Sequence, residues 1–372
     1  MSDFFVPLAI QEEIMKRLPT KSLLQFRSVS KTWKSLIDSS KFIADYSVRQ
    51  THDNHLLVCY RDDEINYVSI VDDDVQPFPV FPLITTPVPG GLSMPTIIGS
   101  SHGLFCMFHR SGKSILVWNP SIRIRKSVSV DVPYVQGYRM VFGFTVCPCT
   151  SDPKVVKISY TRLSNLEDNT ITCTPWQVEV YTMSSRAWRS IPNINQPRNS
   201  IVLWSSQVAI GEVIYWLALD AVHINKMATS RYNMIVSFDT TSHSFMEISL
   251  PADTLARPHY LGLSISKLKE SLVVIDQGKN NVYDVWMMVE HGVPNSFSKL
   301  FTINRPDTSI EGILGFRKND EPIFLTSTHF NSVHDVYVDE LQSEQMSYLG
   351  ISGPQIFYSA TSYMETLLLL ND

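Results

Sequence analysis

Cysteine is scarce in this chain: five in 372 residues, at Cys59, Cys106, Cys147, Cys149 and Cys173. The number is odd and the spacing forms no disulfide framework, which points to reduced thiols in a cytosolic or nuclear protein. No apolar run approaches the ~18 residues of a membrane span, and the terminal "TLLLLND" is far too short. The opening "MSDFFVPLAI" has an acid at Asp3 and no basic stretch, so it does not read as a secretory signal. Charged residues make up 18%, too few for a disordered chain, and no strongly basic stripe suggests nucleic acid. Residues 1–50 carry eight Lys/Arg against five Asp/Glu, so about +3 there and about −8 in the remainder of a net −5.

Catalytic signatures are missing as well. There is no G-x-S-x-G, G-x-G-x-x-G or H-E-x-x-H. The stretch "RSGKS" (Arg110–Ser114) ends like a phosphate-binding loop, but Met107 stands where that loop needs glycine, and a hairpin turn is the better reading. "CPC" at Cys147–Cys149 is one residue too tight for the usual zinc C-x-x-C. The acidic runs Asp62-Asp63-Glu64 and Asp72-Asp73-Asp74 fall at strand ends, where solvated turns are the default, and the histidines are scattered. No cofactor, metal or catalytic group is expected.

What is present is a helical front and a β-rich remainder. With 44% hydrophobic residues the chain can bury a large core, and its length suits one small domain plus one large. From Val6 to Ile37 the apolar residues keep helical spacing. Ile10, Ile14 and Leu18 fall on one stripe after Pro7. Leu18-Pro19 ends that helix, Thr20 can cap a second with Leu23, Leu24 and Phe26, and Ser30 can cap a third with Trp33, Leu36 and Ile37. So small a bundle cannot bury all these side chains, and the surplus must lie against a partner or against the rest of the chain.

This front resembles an F-box: Val6-Pro7, Ile14, Leu18-Pro19, then "KSLLQFRSVSKTWKSLI". Val6 replaces a usual Leu, Ala9 sits where an acid is common, and Ser28 replaces a frequent Cys. The resemblance implies a three-helix module, residues 1–50, that docks the adaptor Skp1. Carried over by position, the contacts are Val6, Pro7, Leu8, Ile14, Pro19, Leu23, Leu24, Val29 and Trp33.

Beyond the front, one unit recurs. An alternating strand reaches a polar turn and a second strand follows, with the first strands centred near Val117, Val180, Val236, Val285 and Val336, and a sixth near Val68. Each unit follows another apolar strand: "GLFCMFH", "VVKISY", "GEVIYWLAL", "SLVVID" and "PIFLT". Spacings of roughly 50–60 residues suit four-stranded propeller blades. Five complete blades are expected between residues 97 and 351. The terminal "QIFYSATSYMETLLLL" can pair with "HLLVCYR" and "INYVSIV" to close a ring of six, since closure removes exposed sheet edges. A pair of irregular β-sandwiches is the competing architecture.

The order "SSHGLFCM", "VWNPSIRIRKSV", "FGFTVCPCTSDPKVVKI", "VEVYTMSSRAWRSI", "GEVIYWLAL", "SFDTTSHSFMEISLP" resembles the F-box-associated, kelch-like domain of plant F-box proteins, spanning residues 55–372. The fold class expected is therefore mainly β, with a small all-α front and a propeller-like body. The resemblance implies a non-catalytic substrate-recognition subunit of an SCF-type ubiquitin ligase. Such a subunit meets Skp1, through it a cullin and RING subunit, and an unidentified protein substrate, with no nucleic acid or membrane. An F-box-like protein that sequesters a partner outside a ligase is the alternative, and a propeller enzyme a weaker one. Three loops are candidates for target contact: residues 75–95, "RLSNLEDNTITCTPW" and "ALDAVHINKMATSRYN".

Overall fold

The computed structural model describes residues 6–49, 55–62, 65–72, 84–87 and, apart from short stretches between elements, 96–369. Gln50–Asn54, most of the proline-rich stretch 75–95, Asp63, Glu64, Asp73, Asp74 and Arg110–Gly112 lie outside the described residues.

Four helices open the chain, not the expected three: α1 (Leu8–Met15), α2 (Thr20–Phe26), α3 (Lys31–Ile37) and α4 (Ser40–Arg49). The fourth forms because the Ser39 hydroxyl accepts from the Phe42 N–H at 3.2 Å, a helix-starting bond. Phe42 and Tyr46, four residues apart, then stack on one buried face. Ser30 caps α3 as its sequence suggests, accepting from Trp33 N–H at 3.0 Å. Thr20 does not cap α2. Pro19 holds the cap position, and the Thr20 hydroxyl meets the Tyr46 hydroxyl at 3.1 Å instead.

Among the described residues all later elements are strands, apart from one 3-10 turn at Pro120–Ile122. They are β1 (His55–Asp62), β2 (Ile65–Asp72) and β3 (Ile84–Pro87), then β4 (Thr96–Ser101), β5 (Leu104–His109), β6 (Ser114–Trp118) and β7 (Ser127–Asp131). Next come β8 (Arg139–Val146), β9 (Pro153–Tyr160), the short hairpin β10 (Arg162–Asn165) and β11 (Thr170–Cys173), β12 (Gln177–Thr182) and β13 (Ala187–Ile191). β14 (Ile201–Ile210), β15 (Val213–Asn225), β16 (Ala228–Asp239) and β17 (Ser244–Ser249) follow. The last are β18 (Leu263–Leu268), β19 (Ser271–Gln277), β20 (Val282–Met288), β21 (Phe297–Asn304), β22 (Ile310–Phe316), β23 (Pro322–Thr328), β24 (Val333–Glu340), β25 (Gln345–Pro354) and β26 (Ser359–Tyr363).

Five four-stranded antiparallel sheets take their strands from contiguous sequence: β4–β7, β8-β9-β12-β13, β14–β17, β18–β21 and β22–β25. A sixth is composite, in the order β26-β1-β2-β3. Its joint pairs His55 with Tyr363 and Cys59 with Ser359, so the first and last strands share one sheet. The innermost strands β4, β8, β14, β18, β22 and β26 pack in succession. Ser100 on β4 reaches Thr361 on β26 at 2.9 Å and completes the circuit.

Each of the six seams between neighbouring sheets holds its own apolar cluster. That arrangement is a propeller and not a pair of sandwiches. In the seam between β8-β9-β12-β13 and β14–β17, Trp216 donates to the Phe142 carbonyl at 3.0 Å, and Trp176 stacks on Tyr160. Gly143 faces the Trp216 ring there, and a Cβ at that position would lie 2.5 Å from it.

Candidate protein-docking surfaces

The helical module has two apolar faces with different fates. One is seated on the propeller: Met15, Leu23, Ile37, Phe42 and Tyr46 form a buried cluster with Ile122 and with Leu367 from the C-terminal segment. Polar contacts fix this seat. The Thr20 N–H donates to the Glu365 carboxylate at 2.7 Å, which supplies an acceptor to the open start of α2. The Asn119 side-chain amide donates to the carbonyls of Thr366 (2.9 Å) and Leu368 (2.8 Å), while its oxygen accepts from Ser121 N–H. Ser121 in turn meets the Tyr363 hydroxyl at 2.5 Å. Residues 363–369 are thus wedged between module and propeller.

Ion pairs brace the module itself. Lys16, nearly buried, meets Glu12 at 2.7 Å and Asp45 at 2.8 Å, tying α1 to α4. Hydrogen bonds that it donates to Asp45 and Glu12 push its ammonium pKa up against the opposing effect of burial. Arg27 grips Asp38 with two nitrogens, at 2.5 and 3.0 Å, joining the ends of α2 and α3. Burial alone would raise the Asp38 carboxyl, but the hydrogen bonds from Arg27 and Lys34 outweigh it and hold the pKa below its usual range.

The other face is open. Of the nine expected contact residues, Val6, Pro7, Leu8, Ile14, Pro19 and Val29 are exposed, Val29 at 64%. Leu24 and Trp33 are half-buried. Trp33 is anchored rather than free: its indole N–H donates to Gln11 at 2.7 Å, and Gln11 donates to the Val6 carbonyl at 2.6 Å. Leu23 departs from expectation. It is wholly buried, packed toward the 3-10 turn and Leu367, and belongs to the seat instead of the open face. Ile10, half exposed at 52%, belongs to the open face but was not among the nine, although its i, i+4 relation to Ile14 could have placed it there.

Strand direction sorts the propeller loops. Inner strands run toward the module, because β26 ends in the seating segment. In antiparallel sheets the turns after second strands must therefore lie on the opposite face. Two of the three candidate loops meet this condition: the β10–β11 hairpin between β9 and β12, and the long β15–β16 hairpin, paired from Val213–Asp239 out to Asn225–Ala228. β11 packs on β15, so the two form one ridge on the face away from the helices. Of the third stretch, only Ile84–Pro87 is described, as β3.

The rejected motifs sit where turns are needed. His109 pairs with Ser114 across the β5–β6 ladder, and Arg110–Gly112 of "RSGKS" lie outside the described residues. Cys147 lies buried at the start of the β8–β9 turn, its thiol donating to Glu212 at 2.6 Å, while Cys149 is exposed. Among the described residues no group of three His, Cys, Asp or Glu could hold a metal, and no helix is long and apolar enough to cross a membrane.

Residues 92–359 match the F-box associated beta propeller domain and residues 6–45 the F-box domain. F-box protein CPR1 of Arabidopsis thaliana is 26% identical over 380 residues, covering 98% of this chain and 89% of that protein. The F-box/kelch-repeat protein At3g23880 of the same plant is 26% identical over 323 residues, covering 80% and 79%.

Proposed function

Because the chain belongs to the F-box associated β-propeller family and carries an F-box domain ahead of its propeller, we propose that it is the substrate-recognition subunit of an SCF-type ubiquitin ligase. The observation that carries this reading is the open face of the module. Val6, Leu8, Ile10, Ile14 and Val29 stay exposed after the opposite face has been buried against the propeller. Exposed apolar side chains gathered on so small a module point to a protein contact, and burying each contributes ~1.5–3 kcal/mol. The occupant in this reading is a Skp1-like adaptor, which brings the cullin and RING subunit.

The target is a protein held by the far face, where the β10–β11 and β15–β16 hairpins rise. The subunit contributes proximity and choice of target, not a catalytic group. Four of its five cysteines are buried free thiols, and burial pushes Cys59 up to about 12, which suits a reducing cytoplasm or nucleus.

Co-expression with a Skp1-like adaptor tests the reading. The wild type is expected to co-purify with it, and a Leu8→Asp, Val29→Asp double variant to lose it while keeping the wild-type circular dichroism and melting temperature. Both residues are exposed, so the fold should survive. A folded wild type that fails to bind, or a double variant that binds as well, overturns the proposal.

A further inference from the structure

On the propeller axis the inner strands β4, β14, β18, β22 and β26 line a half-open cavity of about 370 Å³. Much of its wall is apolar, and the polar part has a reason built into the fold. Each inner strand is hydrogen-bonded along one edge only, so backbone N–H and C=O groups of the other edge face the axis and need partners. The β14 ladder shifts register between Leu203 and Gln207, which leaves Ser205 and Ser206 outside it and exposed. Gln207 then clamps the neighbouring inner strand β8, accepting from Phe144 N–H at 3.0 Å and donating to its carbonyl at 3.2 Å. Gly99 on β4 leaves room for that amide, which would lie 2.2 Å from an added Cβ.

The lining has a definite chemistry. Thr96, Ser100, Ser206, Ser266, Ser359 and Thr361 supply hydroxyls from four of the five strands. The Ser359 hydroxyl is buried without a hydrogen-bond partner. Among the described lining residues Lys267 is the one cationic side chain and none is a carboxylate; Glu270 pairs with Lys267 at 2.8 Å from the exposed β18–β19 turn. Ile265, Ile313 and Phe316 add apolar wall.

We propose that this cavity binds a small polyol bearing one anionic group, of the size and chemistry of a hexose monophosphate. Hydroxyls and strand-edge amides both donate and accept, as a polyol does. The apolar wall meets its carbon-bound hydrogens, Lys267 takes its anion, and the volume lies within the ~300–1,000 Å³ of small-molecule sites. The proposal is independent of the ligase reading.

Titration calorimetry and thermal unfolding of the full chain with glucose 6-phosphate, sorbitol and inorganic phosphate test it. Glucose 6-phosphate is expected to bind one saturable site and raise the melting temperature, with sorbitol and phosphate each much weaker. Lys267→Met should weaken glucose 6-phosphate about tenfold or more and leave sorbitol unchanged. Ser266→Phe, which fills the cavity, should abolish binding. Lys267 is one-third exposed, so its variant folds and carries the test should Ser266→Phe not. No binding by folded wild type, equal binding of inorganic phosphate, or affinity untouched by Lys267→Met would each overturn the proposal.

Discussion

Leu23 and Ile14 are both apolar residues of the helical module, yet the structure assigns them opposite roles. Leu23→Ala removes a fully buried side chain and should cost about 2–5 kcal/mol, seen as a lower unfolding midpoint. Ile14→Ala, at 50% exposure, should change stability little and weaken adaptor capture instead. Asn119→Ala would leave two buried carbonyls without donors and cost about 1–3 kcal/mol, with faster proteolysis of the terminal segment as the second readout.

Acid sensitivity also belongs to single residues. Burial lowers the pKa of His102, His109 and His243, helped by Lys267 at the first and by Lys154 and Arg189 at the third. Their folded values lie below the ordinary ~6.5, so the native state binds fewer protons than the unfolded chain. Stability is full above about pH 6.5 and is lost as pH falls through the folded values. Urea midpoints should therefore drop between pH 7.5 and 5.5, and His102→Gln should flatten that drop.

At the scale of elements, the third strand of each blade was legible because strict alternation and a polar turn mark it. Val117, Val180, Val236, Val285 and Val336 all lie in such strands. The inner strands were hard to see for a physical reason. Facing an axis instead of a closed core, they carry Gly99, Gly143, Gly312, Gly315 and the bulge at Trp204–Ser206, which break the period of two. Gly143→Ala is expected to force the Trp216 ring aside and destabilise by about 1–3 kcal/mol, measurable as a lower melting temperature with altered tryptophan fluorescence. Helix α4 was missed although its signs, Ser39 before Phe42 and Tyr46, are local. The exposed apolar residues Val6, Leu8, Ile14 and Val29 come with the module's pattern. Leu23 could not be assigned because its neighbours Ile122 and Leu367 lie far along the chain.

At the scale of the whole molecule, the ends of the chain carry the architecture. β26 closes the ring and the residues after it seat the helices. Closure was foreseeable, since a propeller needs its terminal strand to cover an edge. The seat was not, because no periodicity links Thr20 to Glu365. Removing residues 359–372 should expose the β1 edge and the cluster behind Leu367, giving a chain that aggregates on size-exclusion chromatography.

The wedge at residues 363–369 has a further consequence for the order of synthesis. The helical module leaves the ribosome before any strand, but Glu365 is translated 345 residues after Thr20. At ordinary elongation rates that interval is roughly 20–70 s. Throughout it the module has no fixed bearing on the propeller. On the proposed ligase role, a transcript with a premature stop would yield a module able to occupy an adaptor but unable to hold a target at a set distance. The wedge thus makes rigid coupling between the helical module and the far face of the propeller conditional on all six sheets having been translated.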